Sequence, residues 1–383
     1  MQTVIKTTSF LDSLNQIIKR NNYSRIFIFT GSTGYKIIKE NNLDKDSNYF
    51  IYSDFEKDPS IDDVYKATKI LSDFKPDLVV TLGGGSAIDI GKQVNYLSCN
   101  YDINNISLDL LAKDVIDKTL IFEKPSYPLV AIPTTAGTGS EATQFSVIYI
   151  NKIKYSIDNH LLLPKYCILD PSLLIDMKPK LIATTTMDAL SQSIESLWSI
   201  KSNEESTGYA ANALLIIKRN IKKIAKGYPD NKIAQELMYA AHLTGKAINI
   251  TRTTAPHAIS YPLSMNLKIP HGHAVALTLP NFFIINSSIE NSKINDLRGK
   301  NYLKKRMEYI FELFLYKGAT AKECRSEFYN LMDILNLETD LNRLKIKDIG
   351  IKTILDTINQ DRLSNNPILV SNKDLNKILT NTF

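Results

Sequence analysis

The feature that most constrains the fold is a change in hydrophobic patterning near residue 180. Before it, short apolar runs bounded by glycine, proline or aspartate alternate with helical segments. Continuous apolar runs of this length are typical of strands buried on both faces, so they predict a parallel α/β sheet. The predicted strands are RIFIFT (25–30), YFIYS (49–53), DLVVTLGGG (77–85), YPLVAIPTT (127–135), FSVIYI (145–150) and YCILD (166–170).

After residue 180 the strand signals stop and apolar residues recur at helical spacing. Segments such as TTMDALSQSIESLWSI, ESTGYAANALLIIKRNIKKIAKG and NKIAQELMYAAHLTGKAINI end at or near glycine or asparagine, as helices often do. We therefore predict two domains: an α/β domain over residues 1–178 and an all-α domain over residues 179–383.

Composition excludes several classes of protein. With 44% apolar residues in 383, the chain can bury substantial cores, which argues against disorder. Its 46 basic and 40 acidic residues are spread along the chain, so no concentrated nucleic-acid footprint is present. Three cysteines without a CxxC motif favour a reducing compartment. We see neither a signal peptide nor a run of about eighteen apolar residues, and we expect a cytoplasmic protein without membrane or nucleic-acid partners.

Two glycine-bearing loops follow predicted strands of the first half. In VVTLGGGSAIDIGK (79–92) a strand ends at Gly83, Gly84 and Gly85, and a helix begins near Ser86. Unpaired N–H groups at a helix start can bind a phosphate, although a tight turn is the alternative interpretation. The loop PTTAGTGSEAT (133–143) holds dense hydroxyls and exposed amides. Two such loops at the carboxyl ends of parallel strands predict a dinucleotide site.

The second half contains a candidate metal site. Asp188 and Gln192 are four residues apart on a predicted helix and so share a face. Together with His257 and His271 they offer a carboxylate, an amide and two imidazoles, a set that suits zinc or ferrous iron. Any one of these residues taken alone is more often a satisfied polar group than a ligand. They form a metal site only if the fold brings them together.

Four sequence blocks in order resemble those of the iron-containing (group III) alcohol dehydrogenase family. They are GGGSAIDIGK, AIPTTAGTGSEAT, MDALSQSIES and PHAISYPL with IPHGHAVALTLP. The resemblance implies a dinucleotide-binding, dehydroquinate synthase-like α/β domain followed by a helical domain, with a metal that polarises a carbonyl and a nicotinamide that donates hydride. It implies Asp188, His257 and His271 as metal ligands. The implied cofactor contacts are Gly83, Gly84, Gly85, Ser86, Thr134, Thr135 and Thr138, to which we add Ser32 and Lys154.

The chain departs from the family pattern at three positions. Gln192 stands where many members have a histidine ligand, so the site has either a weaker fourth ligand or water there. Tyr261 takes the place of a further histidine that follows His257. Gly31 stands where NAD-preferring members tend to have an aspartate that repels a 2′-phosphate, so NADPH becomes acceptable beside NADH.

A narrower resemblance is carried by the segments GTGSEATQFSVIYI, MDALSQSIESLWSI, NEES and GKAINITRTTAPHAISYPL. They resemble the phosphonoacetaldehyde reductase (hydroxyethylphosphonate dehydrogenase) branch, which belongs to phosphonate biosynthesis and also has glutamine at the second ligand position. The segment KAINITRTTAPH places cations and hydroxyls directly before His257, and these groups suit an anionic headgroup. The alternative is that the cations are solvated or bind the phosphates of the cofactor. The predicted substrate contacts are Gln144, Lys246, Arg252, Thr253 and Thr254.

The predicted reaction is reversible, metal-assisted hydride transfer between NAD(P)H and a small anionic aldehyde. The proton comes from water, a ribose hydroxyl or Tyr261. A generic short-chain aldehyde reductase of the lactaldehyde or propanediol type is the main alternative. A metal-dependent cyclase like dehydroquinate synthase and a non-catalytic binding protein are the others. A homodimer is a candidate assembly.

Overall fold

A computed structural model describes residues 2–46, 48–151, 153–344, 346, 351–358 and 360–380. The chain folds as two compact units. Unit 1 comprises Met1–Thr135 and Gly139–Ile175, and unit 2 comprises Ala136–Thr138 and Asp176–Phe383.

Unit 1 is built on a six-stranded parallel sheet, which confirms the predicted fold class. Its central strands are buried on both faces because helices cover a parallel sheet on each side. The strands are β1 (Thr3–Lys6), β2 (Ile26–Thr30), β3 (Tyr49–Tyr52), β4 (Leu78–Gly83), β5 (Leu129–Pro133) and β8 (Tyr166–Leu169), in the spatial order β1-β8-β5-β4-β2-β3.

One predicted strand belongs to a different sheet. The run FSVIYI forms β6 (Phe145–Ile150), but β6 pairs antiparallel with β7 (Ile153–Asp158) in a separate two-stranded sheet. Along β6 buried residues alternate with half-buried ones, which is the pattern of a strand with only one face in the core. Strand β7 was not predicted, since its sequence IKYSID is mostly polar and exposed.

The helices of unit 1 cover the sheet. They are α1 (Phe10–Asn21), α2 (Ser32–Glu40), α3 (Ile61–Phe74), α4 (Gly85–Asn100) and α5 (Leu108–Asp117). Helices α2 and α4 begin directly after β2 and β4, so their N-termini lie at the carboxyl edge of the sheet.

Helix α4 also holds the β6–β7 hairpin in place. The buried ammonium of Lys92 donates hydrogen bonds to the carbonyl oxygens of Thr143 (2.8 Å) and Phe145 (3.0 Å). Asp89 Oδ2 accepts a hydrogen bond from the backbone N–H of Val147 at 3.0 Å. The helix that begins at the glycine loop is therefore tied to the end of the polar loop that follows β5.

Unit 2 is helical, as predicted. Its helices are α6 (Pro179–Trp198), α7 (Glu204–Ile224), α8 (Asn231–Thr251), α9 (Ala255–Leu267), α10 (His271–Ser287), α11 (Lys300–Phe314), α12 (Ala321–Ile334), α13 (Ile351–Asp356), α14 (Gln360–Ser364) and α15 (Asn372–Thr380). Almost every residue of α6 after its first turn is buried, which makes α6 the central helix of the unit. Across the residues described, the helices are too short or too polar to span a bilayer.

Candidate metal centre and cofactor loops

Helix α6 carries a row of polar side chains inside the core of unit 2. Asp188 and Gln192 are each 3% exposed, and Glu195 is fully buried. Steps of four and then three residues keep the three side chains on one side of the helix. Because bulk water does not reach them, these groups need polar or ionic partners inside the protein.

Two histidines from the following helices approach this row. His257 lies in the first turn of α9, and His271 is the first residue of α10. One ligand atom from each of Asp188, His257 and His271 lies within 4.8 Å of the other two. The structure thus brings together the three predicted ligands from separate helices, with Gln192 one turn after Asp188 on α6.

Gly272 sets how closely α10 approaches α6. A Cβ atom at this position would lie 2.0 Å from the carbonyl oxygen of Thr184 and 2.8 Å from Cβ of Asp188. Neither atom can move away without displacing a helix, so only glycine allows His271 to lie beside Asp188. The sequence motifs did not point to Gly272, although it stands between the two histidines of PHGH.

Glu195 is a further residue that the sequence motifs did not identify. Its Oε2 lies 2.6 Å from Nδ1 of His257, and Nε2 of the same ring lies 3.3 Å from Oδ1 of Asp188. Both are close ion-pair contacts. Glu195 also accepts hydrogen bonds from the backbone N–H groups of Thr254 (3.2 Å) and His257 (3.1 Å). A carboxylate on one ring nitrogen directs the other nitrogen towards the ligand cluster.

Two buried atoms of the cluster indicate that a cation belongs here. Within the described ranges, Oε1 of Gln192 has no hydrogen-bond partner, and the only polar contact of Nε2 of His257 is the long one with Oδ1 of Asp188. Leaving such atoms unsatisfied in a core is costly, and a divalent cation would satisfy both. The donor set fits zinc or ferrous iron, with Asp188, His257 and His271 as ligands and Gln192 as the fourth donor. These individual roles stay predictions.

The carboxylates around His257 control its protonation. Burial disfavours a charged ring, but Glu195 and Asp188 outweigh this effect and raise the pKa of His257 to about 10. Metal ligation requires a neutral imidazole, so metal binding has to displace a proton from this ring at neutral pH.

Tyr261, the predicted proton donor, lies beside the ligand cluster. Its ring stacks on that of His271, with centroids 5.5 Å apart and an interplanar angle of 15°. Tyr261 is half-buried and lies one turn after His257 on α9. Its position is compatible with the predicted role, which stays a prediction.

The predicted substrate contacts have varied surroundings. Nζ of Lys246 lies 4.0 Å above the ring of Tyr209, a partner that attracts the cation without neutralising it. Nη1 of Arg252 donates to carbonyl oxygens at the end of its own helix, those of Ile248 and Asn249.

The remaining predicted substrate contacts are uncharged: two threonine hydroxyls and one glutamine amide. Oγ1 of Thr254 accepts a hydrogen bond from Nε1 of Trp198 at 2.9 Å, so this hydroxyl is engaged in the core of unit 2. Thr253 is also buried there. Gln144 lies in unit 1, where its Nε2 donates to Asp158 at 3.2 Å.

In unit 1, the predicted cofactor residues lie where the strand order reverses. From β2 the chain moves outward to β3, and from β4 it moves in the opposite direction to β5, while β2 and β4 are neighbours. In open parallel sheets, such a reversal leaves a crevice at the carboxyl ends of the strands that binds nucleotides. Gly31 follows β2 and Gly83 ends β4, and a Cβ on Gly83 would lie 3.8 Å from the backbone nitrogen of Gly31.

The glycine loop is shaped by close packing. A Cβ on Gly83 would lie 2.7 Å from Cβ of Ala87, so the turn into α4 requires glycine. Gly84 is the N-cap of α4 and provides no side-chain cap, which leaves the first N–H groups of the helix for a ligand. The backbone N–H of Thr134 donates to the carbonyl oxygen of Gly83 at 3.0 Å, so the two predicted phosphate loops are adjacent.

The other predicted cofactor residues are spread over several elements and over both units. Thr135 follows Thr134 in unit 1, whereas Thr138 belongs to the short segment that groups with unit 2. Ser86 Oγ donates to the carbonyl oxygen of Lys57, and Ser32 is the first residue of α2. Lys154 lies on β7. Their contacts with a cofactor stay predictions.

Comparison with known families and proteins agrees with this architecture. Residues 2–171 match the model of iron-containing alcohol dehydrogenases, and residues 182–383 match the C-terminal model of the same family. A phosphonoacetaldehyde reductase of Streptomyces viridochromogenes is 31% identical over 253 residues, which are 65% of this chain and 63% of the relative. A long-chain-alcohol dehydrogenase of Geobacillus thermodenitrificans is 28% identical over 87% of this chain and 82% of its own length.

Solved structures show the same fold. An iron-containing alcohol dehydrogenase from Thermotoga maritima is 26% identical with a TM-score of 0.77, over 98% of this chain and 96% of the other. A sulfoacetaldehyde reductase from Bifidobacterium kashiwanohense, solved with NAD+, is 24% identical with a TM-score of 0.85, over 100% and 98% of the two chains. Both family models together span nearly the whole sequence, so the chain belongs to the iron-containing alcohol dehydrogenase family and is an oxidoreductase.

Proposed function

We propose that the chain reduces a small anionic aldehyde with NAD(P)H, and that this aldehyde is phosphonoacetaldehyde, which yields 2-hydroxyethylphosphonate. The main support is the position of Lys246 on the last turns of α8 and of Arg252 at its C-cap, shortly before the proposed metal ligand His257. The similarity to a phosphonoacetaldehyde reductase supports the same substrate class.

The chemistry combines hydride transfer with protonation of the carbonyl oxygen. When bound, the metal polarises the aldehyde oxygen and the reduced nicotinamide supplies the hydride. Asp188, His257, His271 and Gln192 would hold the ion, and Glu195 would orient His257. Tyr261 is the proposed donor of the proton that converts the reduced carbonyl into the alcohol, and water replenishes it.

The two cations are suited to recognise a phosphonate. Both side chains are half-buried, so an anion beside them would be partly shielded from water and counter-ions. The ring of Tyr209 beside Lys246 carries no negative charge, and the five N–H donors of a guanidinium have a fork geometry that matches phosphonate oxygens. A charge-assisted contact of this kind contributes about 1.5 to 3 kcal/mol.

We expect the enzyme to prefer phosphonoacetaldehyde over 3,3-dimethylbutanal, which has the same shape but no charge. The preference in kcat/KM should be about ten-fold to a hundred-fold, because it reflects charge-assisted contacts to the phosphonate. Arg252→Ala should remove most of this ratio, and steady-state kinetics on both aldehydes measures it.

The ratio of the two kcat/KM values separates loss of anion recognition from general damage to the site, because general damage lowers kcat/KM for both aldehydes by the same factor. Arg219→Ala on α7, which removes an exposed arginine paired with Glu236, is the matched control and should leave the ratio unchanged. If Arg252→Ala slows both aldehydes equally, Arg252 does not read the anion and the proposed substrate loses its basis.

A generic alcohol dehydrogenase is the second candidate function. It is favoured by the longer matches to enzymes of that kind, such as alcohol dehydrogenase 4 of Saccharomyces cerevisiae, 29% identical over 90% of this chain and 85% of its own length. This alternative predicts equal turnover of the charged aldehyde and its uncharged counterpart.

The cofactor preference can be tested at Gly31. Nothing lies within 4 Å of a Cβ built there and its φ is −87°, so a side chain fits without strain. Gly31→Asp should weaken NADPH binding by at least about ten-fold through repulsion of the 2′-phosphate, and should spare or improve NADH binding. Nicotinamide fluorescence titration measures both affinities.

Gly31→Asn is the control for this change, since it adds nearly the same volume without the charge. It should alter the affinity for NADPH much less than the aspartate does. A native enzyme that already rejects NADPH would show that Gly31 does not determine the preference.

A further inference from the structure

The turn between α8 and α9 contains a strained residue. Arg252 has φ 58° and ψ −179°, a backbone conformation that is common for glycine and unfavourable for a residue with a Cβ. Such a conformation persists only where surrounding contacts enforce it. The contacts around Arg252 should therefore show what the strained turn is for.

Asn365, from the segment after α14, binds the carbonyl oxygens of the residues before and after Arg252. Its Nδ2 donates to the carbonyl oxygen of Thr251 at 2.8 Å and to that of Thr253 at 2.9 Å. The single O–H of Ser199 is shared between Oδ1 of Asn365 at 3.1 Å and the carbonyl oxygen of Thr251 at 3.0 Å. Asn365 is only 3% exposed, so water does not replace these bonds.

The other end of the turn is held by α6. The backbone N–H of Thr254 donates to Glu195, and Oγ1 of Thr254 accepts from Trp198. Helix α9 begins at the next residue, and its first turn carries His257, whose N–H also donates to Glu195. Because the helix starts directly from this turn, the backbone direction at Arg252 determines where the imidazole of His257 points.

We propose that Asn365 is a positioning residue of the metal centre: it keeps Arg252 in the strained conformation and thereby directs His257 towards Asp188. A relaxed backbone at Arg252 would change the direction from which α9 starts. The proposal rests on the metal site in unit 2 and is independent of which aldehyde the enzyme reduces.

The first test compares metal affinity with stability. Zn²⁺ is the probe, and its dissociation constant is measured by competition with a chelator, without cofactor or aldehyde. Asn365→Ala should raise this constant by about ten-fold to a hundred-fold, as losses around metal ligands typically do. Asn376→Ala is the matched control and should leave zinc affinity unchanged, since among the described residues the side chain of Asn376 on α15 bonds only to Asn372 of its own helix.

The second test asks whether Asn365→Ala weakens zinc binding because the strained backbone of Arg252 relaxes. Arg252→Gly and Arg252→Ala both remove the guanidinium, but only glycine adopts the backbone conformation of Arg252 without strain. Added to Asn365→Ala, Arg252→Gly should restore most of the zinc affinity and Arg252→Ala should not. If Asn365→Ala does not fold well enough to be titrated, Ser199→Ala should raise the zinc dissociation constant several-fold in the same direction.

Several results would overturn the proposal. One is a lower melting temperature of the zinc-free Asn365→Ala protein with an unchanged zinc dissociation constant, which would mean that Asn365 is merely structural. Another is an equal zinc dissociation constant for Arg252→Gly and Arg252→Ala when each is combined with Asn365→Ala. A wild-type protein that binds no zinc would refute the metal centre itself, whereas a failure to reduce phosphonoacetaldehyde would affect only the proposed function.

Discussion

His271→Ala should abolish metal binding and nearly all turnover. His271 is one of three residues whose ligand atoms lie within 4.8 Å of one another, so its loss leaves one imidazole and one carboxylate. Polarisation of a carbonyl by a metal is worth several kcal/mol, and turnover should fall by about a thousand-fold or more. Metal content by mass spectrometry and kcat together measure the effect.

The variant should still bind the cofactor, because the glycine loop and Thr134 and Thr135 of the polar loop after β5 lie in unit 1, whereas His271 lies in unit 2. Retained nicotinamide fluorescence would show that the loss is confined to the metal site. Gln192→His is a companion change that should tighten metal binding if the side chain of Gln192 faces the ion, since imidazole is the stronger ligand. An alanine variant with normal metal content and rate would show that His271 is not a ligand.

Gly272→Ala should disrupt the same metal site by forcing helices α6 and α10 apart. The added methyl group would lie 2.0 Å from the carbonyl oxygen of Thr184, so α10 has to move away from α6. Overpacking of this kind typically costs about 1 to 3 kcal/mol of stability, and it also carries His271 away from Asp188. We expect a lower melting temperature of unit 2 and a loss of metal affinity comparable to that of losing a ligand.

Gly208→Ala is the matched control for this steric argument. Gly208 lies within α7, and nothing lies within 4 Å of the place that an added methyl group would take. Alanine there should therefore be neutral or stabilise the helix by up to about 1 kcal/mol. The melting temperature should fall in Gly272→Ala and stay or rise in Gly208→Ala, and only the former should lose zinc affinity. Normal zinc affinity in Gly272→Ala would mean that the two helices separate easily.

The central strands and the ligand-bearing helices could be predicted because each is encoded within a short segment. Buried runs such as RIFIFT identify their strand without reference to the rest of the chain, and the spacing of Asp188 and Gln192 places them on one face of a helix. The two histidines could be joined to them only through resemblance to a family, since spacing does not show that separate helices converge.

What could not be predicted depends on contacts between distant segments. The backbone of strand β6 is hydrogen-bonded to β7, whose sequence is mostly polar. The antiparallel pairing of these two strands therefore could not be inferred from the sequence. Asn365 acts on a turn more than a hundred residues earlier in the chain. Glu195 is the exception, because it continues the buried polar row of Asp188 and Gln192 along α6 and could have been found from helical spacing alone.

The open backbone position at Gly31 has a consequence for how this enzyme can evolve. The glycine that shapes the phosphate turn, Gly83, is confined by Ala87, whereas Gly31 has empty space around its missing side chain. If Gly31 sets the choice between the two nicotinamide cofactors, as we propose, that choice can therefore change in a single mutational step without compensating substitutions in the sheet. A lineage could exchange the redox pool from which it draws electrons while its metal site and substrate stay the same.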